Sequence, residues 1–192
     1  MAFLLKKMKR SNFLKGGLLA ISSFAGIHRL FASNNTTTNK IPFIVDRGKS
    51  RFHSIVKFLG VHPNDLKISG KDTNGALSLF EYTGYAKVGP MLHIHFKQDE
   101  IFYIVEGEYR FVVGDKIVNL AKGDTIFLPR MIPHTWIQLT DFGKLSYMVQ
   151  PAGKMEEFFE VMNNLKGKPT PQEMDEIHAQ HEMKVVGPPL VL

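Results

Sequence analysis

The sequence of 192 residues contains no cysteine. That absence excludes disulfides, thiolate metal ligands, a cysteine nucleophile and the lipid anchor that bacterial proteins attach at a cysteine. The apolar run Gly16–Ile27 has twelve residues, well short of the roughly 20 that a membrane-spanning helix needs. Acidic residues are missing from the first part of the chain. Residues 1–32 hold six basic residues (Lys6, Lys7, Lys9, Arg10, Lys15, Arg29) and no Asp or Glu, whereas residues 33–192 hold 18 of each sign. The net charge of +6 therefore belongs to the first stretch. A neutral remainder has no field to attract a polyanion, which argues against a nucleic-acid partner. There is no glycine-rich phosphate loop and no internal repeat. Ser78 and Ser146 lack the flanking glycines of a nucleophile elbow.

What the first 32 residues do contain is the pattern of an export signal. A basic stretch, Lys6 to Lys15, precedes the short apolar run, and Ala32 offers a small residue for cleavage. The stretch Lys9-Arg10-Ser11-Asn12-Phe13-Leu14-Lys15 resembles the twin-arginine signal, with Ser11 where the second arginine would stand. The expectation is an exported protein, periplasmic or extracellular in a bacterium, with no stable membrane anchor. Residues 33–44 begin with Ser-Asn-Asn-Thr-Thr-Thr-Asn-Lys and read as a polar linker.

Residues 45–151 form a series of short apolar, β-branched and aromatic runs punctuated by Gly, Pro and Asp. Strands are expected at 52–59, 66–69, 76–82, 91–96, 101–105, 109–113, 116–120, 125–128, 135–139 and 145–149. Many short strands at close spacing predict an all-β sandwich or barrel. After Pro151 the period changes. Met155, Phe158, Phe159, Met162 and Leu165 share one helix face. Thr170-Pro171-Gln172-Glu173 is a capping box that starts a second helix, expected to run to about Glu182. Gly187-Pro188-Pro189 cannot be helical. The two helices are expected to pack on an outer face or to cover one end of the barrel. His178 and His181 read as one face of the second helix.

Three histidines and a glutamate form the chemical signal. His93 and His95 are two apart in a strand, so they project from one face and can hold one ion between them. A tight turn at Lys97-Gln98-Asp99 would return the chain as a neighbouring strand with Glu100 at its start. His134 must arrive from another strand. Imidazole and carboxylate ligands suit Fe, Mn, Ni, Cu, Co or Zn without distinguishing among them. Three neutral imidazoles and one carboxylate leave a divalent ion with net charge +1, which favours an anionic or enolate-like ligand. The pleat places Met91, Phe102, Ile104, Ile132, Trp136 and Gln138 on the ligand-bearing faces, an apolar pocket with one amide. Trp136 is the single tryptophan of the chain.

The run Gly89-x3-His93-x-His95-x4-Glu100-x6-Gly107, followed by Gly123-x5-Pro129-x4-His134, resembles the paired motifs of the cupin superfamily. Pro129-Arg130-x-x-Pro133-His134-Thr135 and a tail from Pro151-Ala152-Gly153 to Gly187-Pro188-Pro189 are similar to the quercetinase-like single-domain members. Three positions depart from the pattern. Lys87 stands at the opening glycine, Met131 at the glycine after Pro129, and Gln138 at an asparagine.

The resemblance implies a double-stranded β-helix (jelly-roll) barrel over 45–151 with a two-helix C-terminal extension over 152–192. It implies one divalent transition metal held by His93, His95, Glu100 and His134. The implied activity is a mononuclear metal-dependent dioxygenase of a small phenolic or enolic compound, with Glu100 as ligand and proton acceptor. Small-molecule binding without turnover, and a metal-dependent isomerase or cyclase, are the alternatives. A homodimer through barrel strands is a further implication of the family.

Overall fold

The computed structural model describes residues 41–192. The expected export signal, and all of the expected linker but residues 41–44, lie outside the described residues. Residues 41–44 are exposed and have no regular structure.

Among the described residues, eleven strands and two helices follow in the order β1 (Lys57–Phe58), β2 (His62–Ile68), β3 (Ser78–Gly84), β4 (Met91–His95), β5 (Asp99–Glu106), β6 (Glu108–Val113), β7 (Lys116–Ala121), β8 (Thr125–Leu128), β9 (His134–Gln138), β10 (Gly143–Gln150), α1 (Met155–Asn163), α2 (Pro171–Gln180) and β11 (Met183–Pro189). They form two antiparallel sheets, of order β1-β2-β3-β10-β5-β8 and β11-β4-β9-β6-β7. From β3 to β10 the chain changes sheet at every connection except the β6–β7 hairpin. This is the expected all-β jelly roll with C-terminal helices.

The pleat decides which residues meet between the sheets. On β3 and β10 burial alternates strictly along most of the strand, as a two-faced strand requires. The inward residues are largely aromatic. Phe80 stacks on Tyr147 at 5.2 Å, Tyr147 on Phe102 at 4.9 Å, and Trp136 lies 5.6 Å from Phe58 and 5.1 Å from Tyr82, centroid to centroid. Offset and edge contacts of this kind add to the area that the rings bury.

One expected strand is not formed, and one strand lies where none was expected. The stretch 52–59 is not one strand but a 3-10 turn at Arg51–His53 followed by the two-residue β1. Phe52 and His53 have φ of 61° and 57°, outside the strand region. The segment is held by Arg51, which donates to both Asp72 carboxylate oxygens (3.1 and 2.9 Å) and covers the Phe43 and Phe52 rings. Side-chain contacts therefore replace a ladder there. Conversely, the proline-rich tail is a strand. β11 pairs antiparallel with β4, with register shifts at Gly187 and Pro189. Proline fits because β11 is an edge strand, where a missing N–H costs no ladder bond.

β9 is buried along its whole length because the stretch Val88–Pro90 runs along it. Gln138 N–H donates to Val88 O (3.2 Å), and Thr135 Oγ1 donates to Pro90 O (2.7 Å). Gly89 lies so close that a Cβ there would overlap the Trp136 carbonyl oxygen. The obstacle is backbone, which cannot rotate aside. Gly89→Ala is expected to destabilise the fold by about 1–3 kcal/mol and to lower metal retention, since β9 carries His134. Chemical denaturation and elemental analysis of the variant check both effects.

Candidate metal centre

His93 and His134 sit directly opposite each other on β4 and β9. His95 is two residues further along β4 and shares the inward face. Glu100 is the second residue of β5, in the opposite sheet. The expected neighbouring strand after His95 is thus corrected. The turn 96–98 crosses the gap between the sheets, and β4 pairs with β9 and β11 instead. A hydrogen-bonded neighbour of β4 would present its side chains beside the histidines. A strand from the facing sheet presents Glu100 across from them, which closes the site from the fourth side.

The four side chains each bring one ligand atom within 4.8 Å of the others. His93 Nε2 lies 3.1 Å from His95 Nε2, His134 Nε2 lies 3.0 Å from Glu100 Oε2, and His95 Nε2 lies 3.8 Å from the same oxygen. The tautomers follow from the outer contacts. His93 Nδ1 donates to Met91 O (2.8 Å) and His134 Nδ1 to Ile132 O (2.9 Å). A carbonyl can only accept, so both Nδ1 atoms carry protons. This frees both Nε2 lone pairs for the centre. His95 Nδ1 and Gln98 Oε1 are each buried without a partner, and the Gln98 amide is the polar group beside the His95 ring. Each is what the other lacks. Three inward lone pairs and a carboxylate converging on one point fit a cation and repel one another without it, so this set fits a divalent transition metal.

Burial, helped by the His134 and His95 charges, lowers the His93 pKa to about 3. Burial likewise lowers that of His95. Burial alone would raise the Glu100 pKa, but the His95 charge and the His134 hydrogen bond hold it at about 2. Burial works against protonation of His134, yet the hydrogen bond and charge of Glu100 prevail and raise its pKa. These directions favour a proton on His134 over one on Glu100.

The backbone around the ligands is fixed from several sides. Arg130 donates to Asp99 from its backbone N–H (2.8 Å), Nε (3.0 Å) and Nη2 (2.7 Å), joining the start of β5 to the loop before β9. Met131 N–H donates to His95 O (2.8 Å). Met131 has φ 67°, a left-handed conformation that favours glycine. The chain thus keeps the turn even though methionine replaces the glycine of the pattern. Its side chain is 58% exposed and does not fill the mouth.

Beside the cluster is a cavity of ≈ 130 Å³ whose wall includes His93, His95 and Glu100. Of the expected pocket residues, Met91, Phe102 and Trp136 line it. Ile104, Ile132 and Gln138 do not. Ile104 is core, and Ile132 is 37% exposed. The buried Gln138 amide donates to Thr140 O (2.8 Å) and Gly84 O (3.4 Å). The pleat identifies a face but not a depth. Ile104 and Gln138 each stand four residues from a ligand, about 13 Å along a strand.

Much of the opposite wall comes from the C-terminal extension. Met155, Phe158, Phe159 and Met162 of α1, Met174 and His178 of α2, and Met183 of β11 all line the cavity. The helical spacing of the α1 residues marked this apolar face, though not what it covers. His178 and His181, expected on one face of the second helix, are both buried and packed against Phe158 with centroids at 5.1 and 5.6 Å. Gln98, hidden in the turn after His95, carried no signal in the sequence. Its Nε2 donates to Glu182 Oε2 (3.2 Å), joining the extension to the His95 side of the site.

Residues 79–149 match the family model described as Cupin domain. The match supports the cupin superfamily. A curated relative, an uncharacterized protein of Methanocaldococcus jannaschii, is 39% identical over 44 residues, which is 23% of this chain and 35% of that protein's length. Among solved structures, KdgF from Halomonas sp. is similar with a TM-score of 0.49 and 15% identity over 57% of this chain and 93% of that one. An RmlC-like cupin from Shewanella frigidimarina has a TM-score of 0.47 and 20% identity over 59% of this chain and 99% of the other. The cupin match spans β3 to β10 and includes all four candidate ligands. It stops short of α1, α2 and β11.

Two measurements test the centre. Because loading must displace the His134 proton, metal affinity should rise with pH by up to about tenfold per unit while His134 is protonated, then level off. Chelator competition from acid to mildly alkaline pH, so that the raised His134 pKa is spanned, reads this, and a flat profile would place the proton elsewhere. Met131→Gly should keep full metal content and gain up to about 1 kcal/mol of stability from relieved left-handed strain, measured by denaturant titration.

Proposed function

We propose that this cupin binds one divalent transition metal through His93, His95, Glu100 and His134 and catalyses the oxidation of a small phenolic or enolic compound by dioxygen, in the manner of the quercetinase-like single-domain members. The observation that carries this reading is the continuity of the ligand cluster with an otherwise largely apolar, aromatic-lined cavity. A ligand held there meets ion and ring contacts together.

A bound redox-active ion would supply Lewis-acid activation of a substrate hydroxyl and electron exchange with dioxygen. The chain supplies the rest. Phe102 and Trp136 put aromatic surface on the cavity wall, against which a flat substrate packs. The apolar residues of α1 and α2 keep water out of the cavity, which strengthens the polar contacts inside it. Glu100 is the sole carboxylate among the lining residues. One of its oxygens faces His134 and His95, and as an ionised group it can take the proton that a substrate hydroxyl gives up.

Metal-loaded protein should consume dioxygen with at least one compound of a phenolic and enolic panel, and His134→Ala should lose both the metal and the uptake. Oxygen-electrode traces with product analysis decide the matter. Turnover that persists without oxygen would instead identify an isomerase or cyclase. Tight binding without product would identify a carrier.

A further inference from the structure

We propose that His178 of α2 determines ligand specificity, and that the cavity takes a one-ring compound carrying a hydrogen-bond donor. This rests on the reading of the cluster as a metal centre that binds a small organic molecule. Size comes first. The cavity of ≈ 130 Å³ is close to the roughly 150 Å³ in which a single benzene fits. A three-ring flavonol exceeds that volume.

Polarity comes second. Outside the cluster, the lining residues with polar side-chain atoms are Lys57, Asn64, Tyr82, Trp136, Tyr147 and His178, of which Trp136 offers only an N–H donor. Lys57 is exposed at the rim. Asn64 Oδ1 already accepts from Tyr147 Oη (2.8 Å), and Asn64 Nδ2 and Tyr82 Oη are sealed off in the core without a partner. His178 differs. Its Nδ1 donates to Met174 O (2.7 Å), so its Nε2 carries the lone pair. No described residue hydrogen-bonds that nitrogen, and it is not among the sealed atoms. Burial keeps the ring neutral by lowering its pKa. The result is a single acceptor in a wall of Met and Phe side chains. A ligand with an O–H or N–H satisfies it, and one without leaves a buried acceptor unpaired.

The test is calorimetric binding to metal-loaded protein without oxygen, using hydroquinone, 4-methoxyphenol and quercetin; with one hydroxyl taken by the metal, hydroquinone keeps a second O–H for His178 and 4-methoxyphenol keeps none. The wild type should bind hydroquinone about tenfold or more tighter than either other compound. His178→Gln, whose amide oxygen falls near the place of Nε2, should keep most of the preference over the ether. His178→Leu should abolish it by weakening hydroquinone alone.

Retention of the preference in a metal-replete His178→Leu protein would overturn the assignment. So would quercetin binding as tightly as hydroquinone, no binding of any of the three to loaded wild type, or loss of metal from both variants, which would make His178 structural. Oxygen uptake is a separate readout. His178-dependent binding without uptake keeps this inference and sinks the oxygenase reading. Uptake that ignores His178 does the reverse.

Discussion

Four ligand atoms on two facing sheets must meet at one point, and the rest of the molecule is arranged around that requirement. Three come from β4 and β9 and the fourth from β5 across the gap. Face-to-face sheets pack about 10 Å apart, and side chains as long as histidine and glutamate span that distance only from facing positions. A one-residue slip of β5 would turn Glu100 outward and aim Asp99 or Ile101 at the histidines. The Asp99–Arg130 contacts oppose such a slip, because they tie the outward neighbour of Glu100 to the loop that delivers His134. An exposed ion pair adds little to global stability. Its three donors to one carboxylate define a register, which is a matter of geometry.

The same requirement explains why the C-terminal extension returns to the barrel. β11 closes the open edge of β4, so the strand carrying two ligands is paired on both sides. Without it, β4 would be an edge strand, prone to fraying and to pairing with other chains. Glu182, between α2 and β11, accepts from Lys97 (2.7 Å) and Gln98 (3.2 Å) and offers its carbonyl to Phe96 N–H (2.8 Å). The turn that crosses between the sheets is thereby held by the same segment that covers the cavity.

How much of this was legible in the sequence follows from the range of each signal. Period-two alternation located most of the strands, and the spacing His93-x-His95 put two ligands on one face, because these are local properties. The capping box marked the start of α2 through one turn of chemistry, with Thr170 Oγ1 accepting from Glu173 N–H (3.2 Å). What stayed hidden depends on pairing. Nothing in Lys97-Gln98-Asp99 says whether a turn returns within a sheet or crosses to the facing one, so Glu100 was expected beside the histidines rather than opposite them. Alternation also carries no depth, so Ile104 and Gln138 shared the ligand face yet lie at another level of the barrel. The prolines of β11 masked a strand, since proline argues against a ladder until the strand is known to be an edge. His178 looked like half of a helical pair because its role rests on Phe158 and the cavity, both remote in sequence.

The division of labour between barrel and cover bears on specificity. The barrel side of the cavity provides charge and ligand atoms, whereas the cover provides Met155, Met162, Met174 and two phenylalanines with one imidazole among them. Methionine is flexible and polarizable, so such a wall adapts its shape to a guest at small cost. Shape alone would therefore discriminate weakly between apolar guests of similar size. A lone acceptor in that wall discriminates more sharply, because leaving a buried polar atom unpaired costs more than losing one methylene contact. The same four-ligand barrel could thus serve different compounds through changes confined to α1, α2 and β11, with the metal centre left as it stands.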